Sequence, residues 1–315
     1  MVEQLFSNFG FRALWTPELI IILGIVAFLY IRLIEKWRMK FADSEPAKRS
    51  QKVYFFLGLV ALYLGWGSPF YIAGHLMLTF HMVQMVFAYI VAVPLFILGT
   101  PKWFFAAIVR KLQSTGIANI GKFVFNPLVA VLLFNGMFSI YHLPIVFDTL
   151  MQNVALHSLY EYILFFGAFM MWWFMLAPLP QVGQLTDLRR MLYIFVNGML
   201  LTPACALIIF SGSAVYSVYT DPTIWATVMS YCLPAGTDIP YNLIGGTSGF
   251  SPLSAAHDQQ LGGVLMKVMQ ELIYGATIAY VFKQWISKEK QSDGLSLSDL
   301  PESMLDRKEE GLMKR

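Results

Sequence analysis

Charge is what this 315-residue chain has least of. Only 13% of its residues are charged, while 57% are hydrophobic; a soluble domain is about a quarter charged and about half apolar. The shortage is concentrated. No Lys, Arg, Asp or Glu occurs from Val53 to Pro101, from Tyr162 to Leu185, or from Met191 to Thr220. Each run holds at least one segment of the about 20 residues that take a helix across a hydrocarbon core. Cysteine is scarce as well: Cys205 lies in an apolar stretch and Cys232 in a polar one. Without a CxxC there is no thioredoxin-like motif and no thiolate relay for copper. HExxH, GxSxG and a phosphate-binding loop are missing, so no standard hydrolase or nucleotide site is signalled and a non-enzyme is expected. No internal repeat gives direct support to an inverted-repeat transporter, and nothing points to a nucleic acid partner. The first residues carry Glu3 in place of a basic cluster and no small-x-small cleavage site. They read as a retained first helix, not a cleaved leader.

What is present is a series of apolar runs divided by charge. They predict an all-α, polytopic membrane helical bundle of about seven transmembrane helices, at roughly 17–35, 53–68, 72–98, 126–147, 157–178, 190–211 and 259–282. Lys and Arg gather in the connections 35–52, 99–125 and 179–190 and in the tail from 283, whereas 68–72, 148–156 and 212–258 have none. Arg32 sits at the same end as the first group, and of the 22 basic residues only Arg12 and Lys267 fall elsewhere. Basic connections stay in the cytoplasm. The expectation is therefore a multi-pass protein of a bacterial plasma membrane, N-terminus outside and C-terminus inside. Residues 1–285 would form the transmembrane domain, with a long outer loop at 212–258, and 286–315 a flexible cytoplasmic tail. The stretch 101–113 mixes aromatic and basic residues like an interfacial helix. The outer loop holds Tyr216, Tyr219, Trp225, Tyr231 and Tyr241, which suit the headgroup zone; it reads either as an ordered exterior loop or as a lid.

That topology puts all five histidines toward the outer half. His75 and His81 fall in the first part of the third span, His142 near the outer end of the fourth, His157 at the start of the fifth and His257 at the start of the seventh. Met77, His81 and Met85 are spaced to share one helix face, as are His157 and Glu161, and Asp258 follows His257. Imidazole, thioether and carboxylate converging from several helices would suit a transition metal, with thioether favouring Cu(I). An ionisable group at membrane depth is a functional hypothesis in its own right. Structural readings stand beside this one: helix-end histidines such as His75, His142 and His257 also serve as interfacial anchors, and most methionines simply fill space. Lys267 and Glu271, four residues apart, read as an ion pair facing the bundle interior, or Lys267 partners Glu161.

Several stretches carry a resemblance. They are FHMVQMVFAYIVAVPLFILGTPKW (80–103), NPLVAVLLFNGMFSIYHLP (126–144), LHSLYEYILFFGAFMMWW (156–173), LRRMLYIFVNGMLLTPACALIIF (188–210) and DQQLGGVLMK (258–267). Together they resemble the caa3-type cytochrome c oxidase assembly factor CtaG family over the greater part of the chain. The resemblance implies a seven-span bacterial plasma-membrane protein needed to make a haem-copper terminal oxidase, with delivery or insertion of copper as its task. His81, His142, His157 and Asp258 fall on the family's HMxQ, histidine-Leu-Pro, fifth-span and DQQLGG positions. Met85 and Glu161 stand where many members have further histidines, which implies a sparser and looser site. The resulting metal set is His81, Met85, His142, His157, Glu161 and Asp258, with copper as the ligand. The implied partners are the catalytic subunit of a haem-copper oxidase, an extracytoplasmic copper donor and the lipid bilayer. A copper or small-solute permease and a bis-histidine membrane cytochrome are the alternatives.

Overall fold

The computed structural model describes residues 2–41, 43–114, 126–179, 185–233 and 251–294. Residues 234–250 of the expected outer loop, and the expected tail beyond 294, lie outside the described residues. The described chain is helical: α1 Val2–Asn8, α2 Phe11–Trp15, α3 Pro17–Glu35, α4 Arg49–Trp66, α5 Pro69–Leu76, α6 Leu78–Met85, a π-helical segment Val86–Ala92, α7 Val93–Gly99, α8 Lys102–Ser114, α9 Pro127–Tyr141, α10 Pro144–Met151, α11 Val154–Leu176, α12 Asp187–Phe210, α13 Pro222–Ser230 and α14 Ala255–Gly294. Six stretches are long and apolar enough to cross a membrane, and α9 with α10, bent by 79°, makes a seventh if counted as one broken span.

Long helices run antiparallel in pairs. α4 and α5 form one span, which reverses at Met77 and returns through α6, the π-helical segment and α7. The two strokes touch so closely that a Cβ on Gly65 would lie 2.9 Å from the Gln84 carbonyl, and one on Gly99 would lie 2.5 Å from the Phe55 amide. Small residues of this kind are what let membrane helices approach backbone to backbone. α9 pairs with α11, and α12 with α14. One end of the bundle therefore gathers Met77, His142, Asn153 and Asp258, and the other gathers the basic residues around Arg49, Lys102, Arg190 and Lys283.

The turn between the second and third spans falls at Met77, not at the expected 68–72. Ser68 and Pro69 look like a stop signal, but they restart a helix. The Ser68 hydroxyl accepts the Phe70 amide at 3.2 Å, and Pro69 sits in the first helical turn, where its missing N–H costs nothing. At Met77 the backbone is extended (φ −144°, ψ 134°), so Met77 does not continue the helix face of His81 and Met85 as the spacing predicted. The buried amide at the start of α6, which has no partner within its own helix, is satisfied from another helix. Asp258 Oδ2 accepts the Leu78 N–H at 2.7 Å, and the Asp258 carbonyl accepts the Thr79 hydroxyl at 2.9 Å. A carboxylate there also meets the positive end of the helix dipole.

Two prolines break the other expected continuous helices. Pro144 forces Leu143 into extended backbone (φ −67°, ψ 130°), so the fourth span stops at His142 and restarts at an angle. Pro94 lacks the N–H that would reach Tyr89 in the π-helical register. The Trp172 indole donates to that carbonyl instead, at 3.0 Å. At the basic end, buried Arg190 closes the last turn of α11. Its guanidinium donates to the carbonyls of Met175 (2.9 Å) and Leu176 (3.1 Å), to Asp187 (2.9 Å) and to Gln284 (3.1 Å).

Replacing Asp258 by Ala should therefore cost about 1–2 kcal/mol, the worth of a buried helix cap. The measurement is the thermal melting of purified protein in detergent, with Glu18→Ala, at an exposed site, as the reference that should melt like wild type.

Candidate functional site

The histidine end of the bundle is a buried polar cluster. His81 (1% exposed), His142 (1%) and His157 (4%) are sealed from solvent, and His75 is buried at 9%. Each is placed by a break or an end of a helix. His75 lies in α5 just before the Met77 turn, and its Nδ1 bonds the Tyr71 carbonyl at 2.9 Å. His81 follows that turn in α6. His142 sits at the end of α9, its Nδ1 on the Phe138 carbonyl at 2.7 Å. His157 is in the first turn of α11, which Asn153 caps by accepting the Leu156 amide.

The rings stand close together. The centroids of His81 and His142 are 6.2 Å apart, and those of His75 and His157 are 6.1 Å apart. Tyr141 joins the two pairs: its ring stacks on His81 at 5.6 Å and its hydroxyl lies 2.8 Å from His157 Nε2. Phe147 stands edge-on to His81 at 5.1 Å. An Nδ1 bonded to a backbone carbonyl must carry the proton, which leaves Nε2 as a lone-pair donor in His75 and His142. The Nε2 atoms of His81 and His142 are both buried and have no hydrogen-bond partner among the described residues. Buried polar atoms are nearly always paired, so two lone nitrogens on neighbouring rings call for an explanation.

The expected ligands separate on this frame. His81, His142 and His157 come together. Glu161 is buried one turn beyond His157, and Met85 is buried one turn beyond His81. Asp258 is buried too, but one of its oxygens is committed to the Leu78 amide, while Oδ1 has no partner among the described residues. Among the described residues no three His, Cys, Asp or Glu side chains are grouped so as to hold a metal ion. A pair of imidazoles is thus the strongest donor set in the cluster. His257 is exposed and bonds Ser254 at 3.0 Å, as an anchor at a helix start would. Lys267 pairs with Glu271 at 2.6 Å, not with Glu161. Tyr141 was not expected. It belongs to the YHLP stretch, and its place beside His142 was the only sequence signal available. His75, expected as an interfacial anchor, lies inside the cluster.

A cover lies over this end. The 3₁₀ turn Ser217–Tyr219 is held by Asp148, whose carboxylate accepts the amides of Ser217 (2.9 Å) and Val218 (3.0 Å). From it Tyr216 donates to the His142 carbonyl and Tyr219 to the Gly74 carbonyl, each at 2.8 Å. The described part of the expected outer loop is thus ordered, and it is anchored directly to the backbone beside two histidines. Two turns before His142 on α9, beside fully buried Phe134 and Phe138, lies a second polar contact, Asn135 donating to Asn197 at 2.8 Å.

The short stretch DQQLGG concentrates much of this assembly. Asp258 caps α6. Gln259 accepts the Val215 amide at 2.9 Å, donates to the Ile208 carbonyl at 3.1 Å and bonds Ser211. Gly262 packs so tightly that a Cβ would sit 3.1 Å from the Leu78 carbonyl. These residues therefore fix where α6 and α12 lie against α14.

Comparison with known proteins gives one match. No curated protein and no solved structure matches the chain significantly. Residues 28–288 match the family model described as cytochrome c oxidase caa3 assembly factor (Caa3_CtaG). The match runs from the middle of α3 to near the end of α14, and so includes every helix that contributes to the histidine cluster and its cover. The chain belongs to the cytochrome c oxidase caa3 assembly factor family.

Proposed function

We propose that the chain takes copper as cargo at its histidine end and makes it available to a caa3-type cytochrome c oxidase during assembly. The supporting observation is the pair of neighbouring imidazoles, His81 and His142, each with a buried Nε2 that nothing in the described protein engages. A ligating histidine normally donates its other ring N–H to a carbonyl, and His142 has that arrangement with Phe138. Two neutral imidazoles suit copper, and the low coordination number favours Cu(I) and easy release. Met85 and the His157–Glu161 pair are further donors close to the same path, and Tyr141 keeps the His157 ring oriented.

The same reading gives the orientation. Lys and Arg crowd the opposite end of the bundle, so that end faces the cytoplasm and the histidines face outward across a bacterial plasma membrane. Copper then arrives from an extracytoplasmic donor and leaves toward the oxidase catalytic subunit without crossing the whole bilayer. The role is one of holding and passing an ion, and needs no catalytic group.

Cu(I) competition titrations on purified protein check the proposal. His81→Ala and His142→Ala should each weaken binding by at least the roughly 10–100-fold that loss of supporting ligand-shell groups costs, while His257→Ala binds like wild type. A strain lacking the protein should accumulate caa3-type oxidase deficient in copper; copper-replete oxidase in that strain would sink the reading.

A second expectation concerns the cover. Asp148→Ala frees the Ser217–Tyr219 turn and should cost about 1–2 kcal/mol of local stability. Stopped-flow mixing with a Cu(I) chelate should then show faster loading and faster release, with the equilibrium affinity little changed. Unchanged rates would mean that the cover does not control access.

A further inference from the structure

Glu271 stands where a carboxylate is least expected. It lies on α14 midway between Asp258 and Lys283, so about 18 Å of helix separates it from either end of the span. Its side chain is 58% exposed, on the face that meets lipid, while its partner Lys267 is 24% exposed. Charged groups at this depth normally face the bundle interior or a wet cavity, so the expected inward-facing pair is turned outward here.

The pair is also unbalanced. The Lys267 ammonium is saturated: besides Glu271 at 2.6 Å it reaches the Gly198 carbonyl at 3.1 Å, the Thr202 hydroxyl at 3.0 Å and Gln270 Oε1 at 3.1 Å. Three protons therefore serve four acceptors, and the carboxylate keeps acceptor capacity that no described residue fills. The surface around it is shaped for close approach. Gly275 and Ala279 follow at one-turn intervals on the same exposed face, and a Cβ on Gly275 would meet nothing within 4 Å. Beside them a cleft of about 330 Å³ opens between α12 and α14, with Phe195, Met199 and Ile278 in its walls. Small residues that allow contact and a polar group that holds it are the two elements of helix association in lipid.

We infer that this face of α14 is the docking surface for a transmembrane helix of the oxidase client, one that offers a hydrogen-bond donor such as Ser, Thr, Asn or Gln at the depth of Glu271 and seats an apolar side chain in the adjacent cleft. Charge complementarity carries the choice of occupant. A lipid tail has no donor to give the carboxylate, and a second copy related by a two-fold axis along the membrane normal would set Glu271 against Glu271. The identity of the client rests on the proposed function; the surface and the chemistry it requires do not.

The test uses the full chain in its own membranes. A photo-crosslinking residue replaces Leu272, 69% exposed beside Glu271, or Ile22, 55% exposed on α3, as the lipid-facing control. Adducts are identified by mass spectrometry. Position 272 should capture an oxidase subunit and position 22 should not. The capture should fall to the control level in K267L/E271L, which removes both charges together and so leaves no buried ion unpaired. Capture of lipid alone, capture of a second copy alone, or capture untouched by K267L/E271L each overturns the inference. Oxidase activity in the same strains keeps the two readings apart. Normal oxidase with K267L/E271L but not with His81→Ala removes the docking surface and spares the copper reading. Specific subunit capture at 272, together with unaltered Cu(I) affinity in His81→Ala, does the reverse.

Discussion

The carboxylate of Asp258 on the amide of Leu78 holds the histidine end of this bundle in one arrangement. A membrane-spanning chain can reverse inside the bilayer region only if the backbone groups freed by the break find partners within the protein. At Met77 that partner comes from α14, 180 residues further along the chain. Its consequences spread. The cap sets the start of α6 and hence the position of His81. It also docks the first turn of α14 against α6, where Gly262 allows contact without a side chain between them. Gln259, one residue on, carries the same docking across to α12.

The other helix breaks repeat this logic with different groups. Pro94 leaves the Tyr89 carbonyl without its register partner, and the Trp172 indole supplies a donor. Pro144 ends α9 at His142, whose own ring bonds back to Phe138. Each break thus pins one helix to another, or fixes a ring at a helix end. The candidate ligands are a product of this architecture: His75 and His81 flank one break, His142 forms another, and His157 opens a helix capped by Asn153. Irregular backbone in a membrane protein is tolerated where it is buried in protein or lines a cavity, and here it does the positioning.

Much of this was legible in the sequence because hydrocarbon allows few solutions. Stretches without charge marked the spans, and the partition of Lys and Arg separated the two ends. The one-sided histidines gave the cluster, and spacing brought Glu161 into line with His157. Local signals failed where a partner from elsewhere was needed to interpret them. Ser68–Pro69 reads as a stop, yet the chain turns eight residues later because Asp258 waits there. Met77 matches His81 and Met85 at helical spacing, yet the break takes it off their face. Tyr141 carried no sign that its hydroxyl would meet His157, and nothing in the spacing of Lys267 and Glu271 told which way the pair would face.

By itself, then, the sequence determined that the chain is a membrane bundle of helices, which residues lie at which end, and which family the chain resembles. These follow from transfer of side chains between water and lipid, a property each segment carries alone. Tertiary structure decided where the helices break, which imidazole nitrogens are left unpaired, that Asp258 serves as a cap, and that Glu271 faces out. Those depend on hydrogen bonds between residues far apart in the chain, whose geometry exists only once the helices have packed.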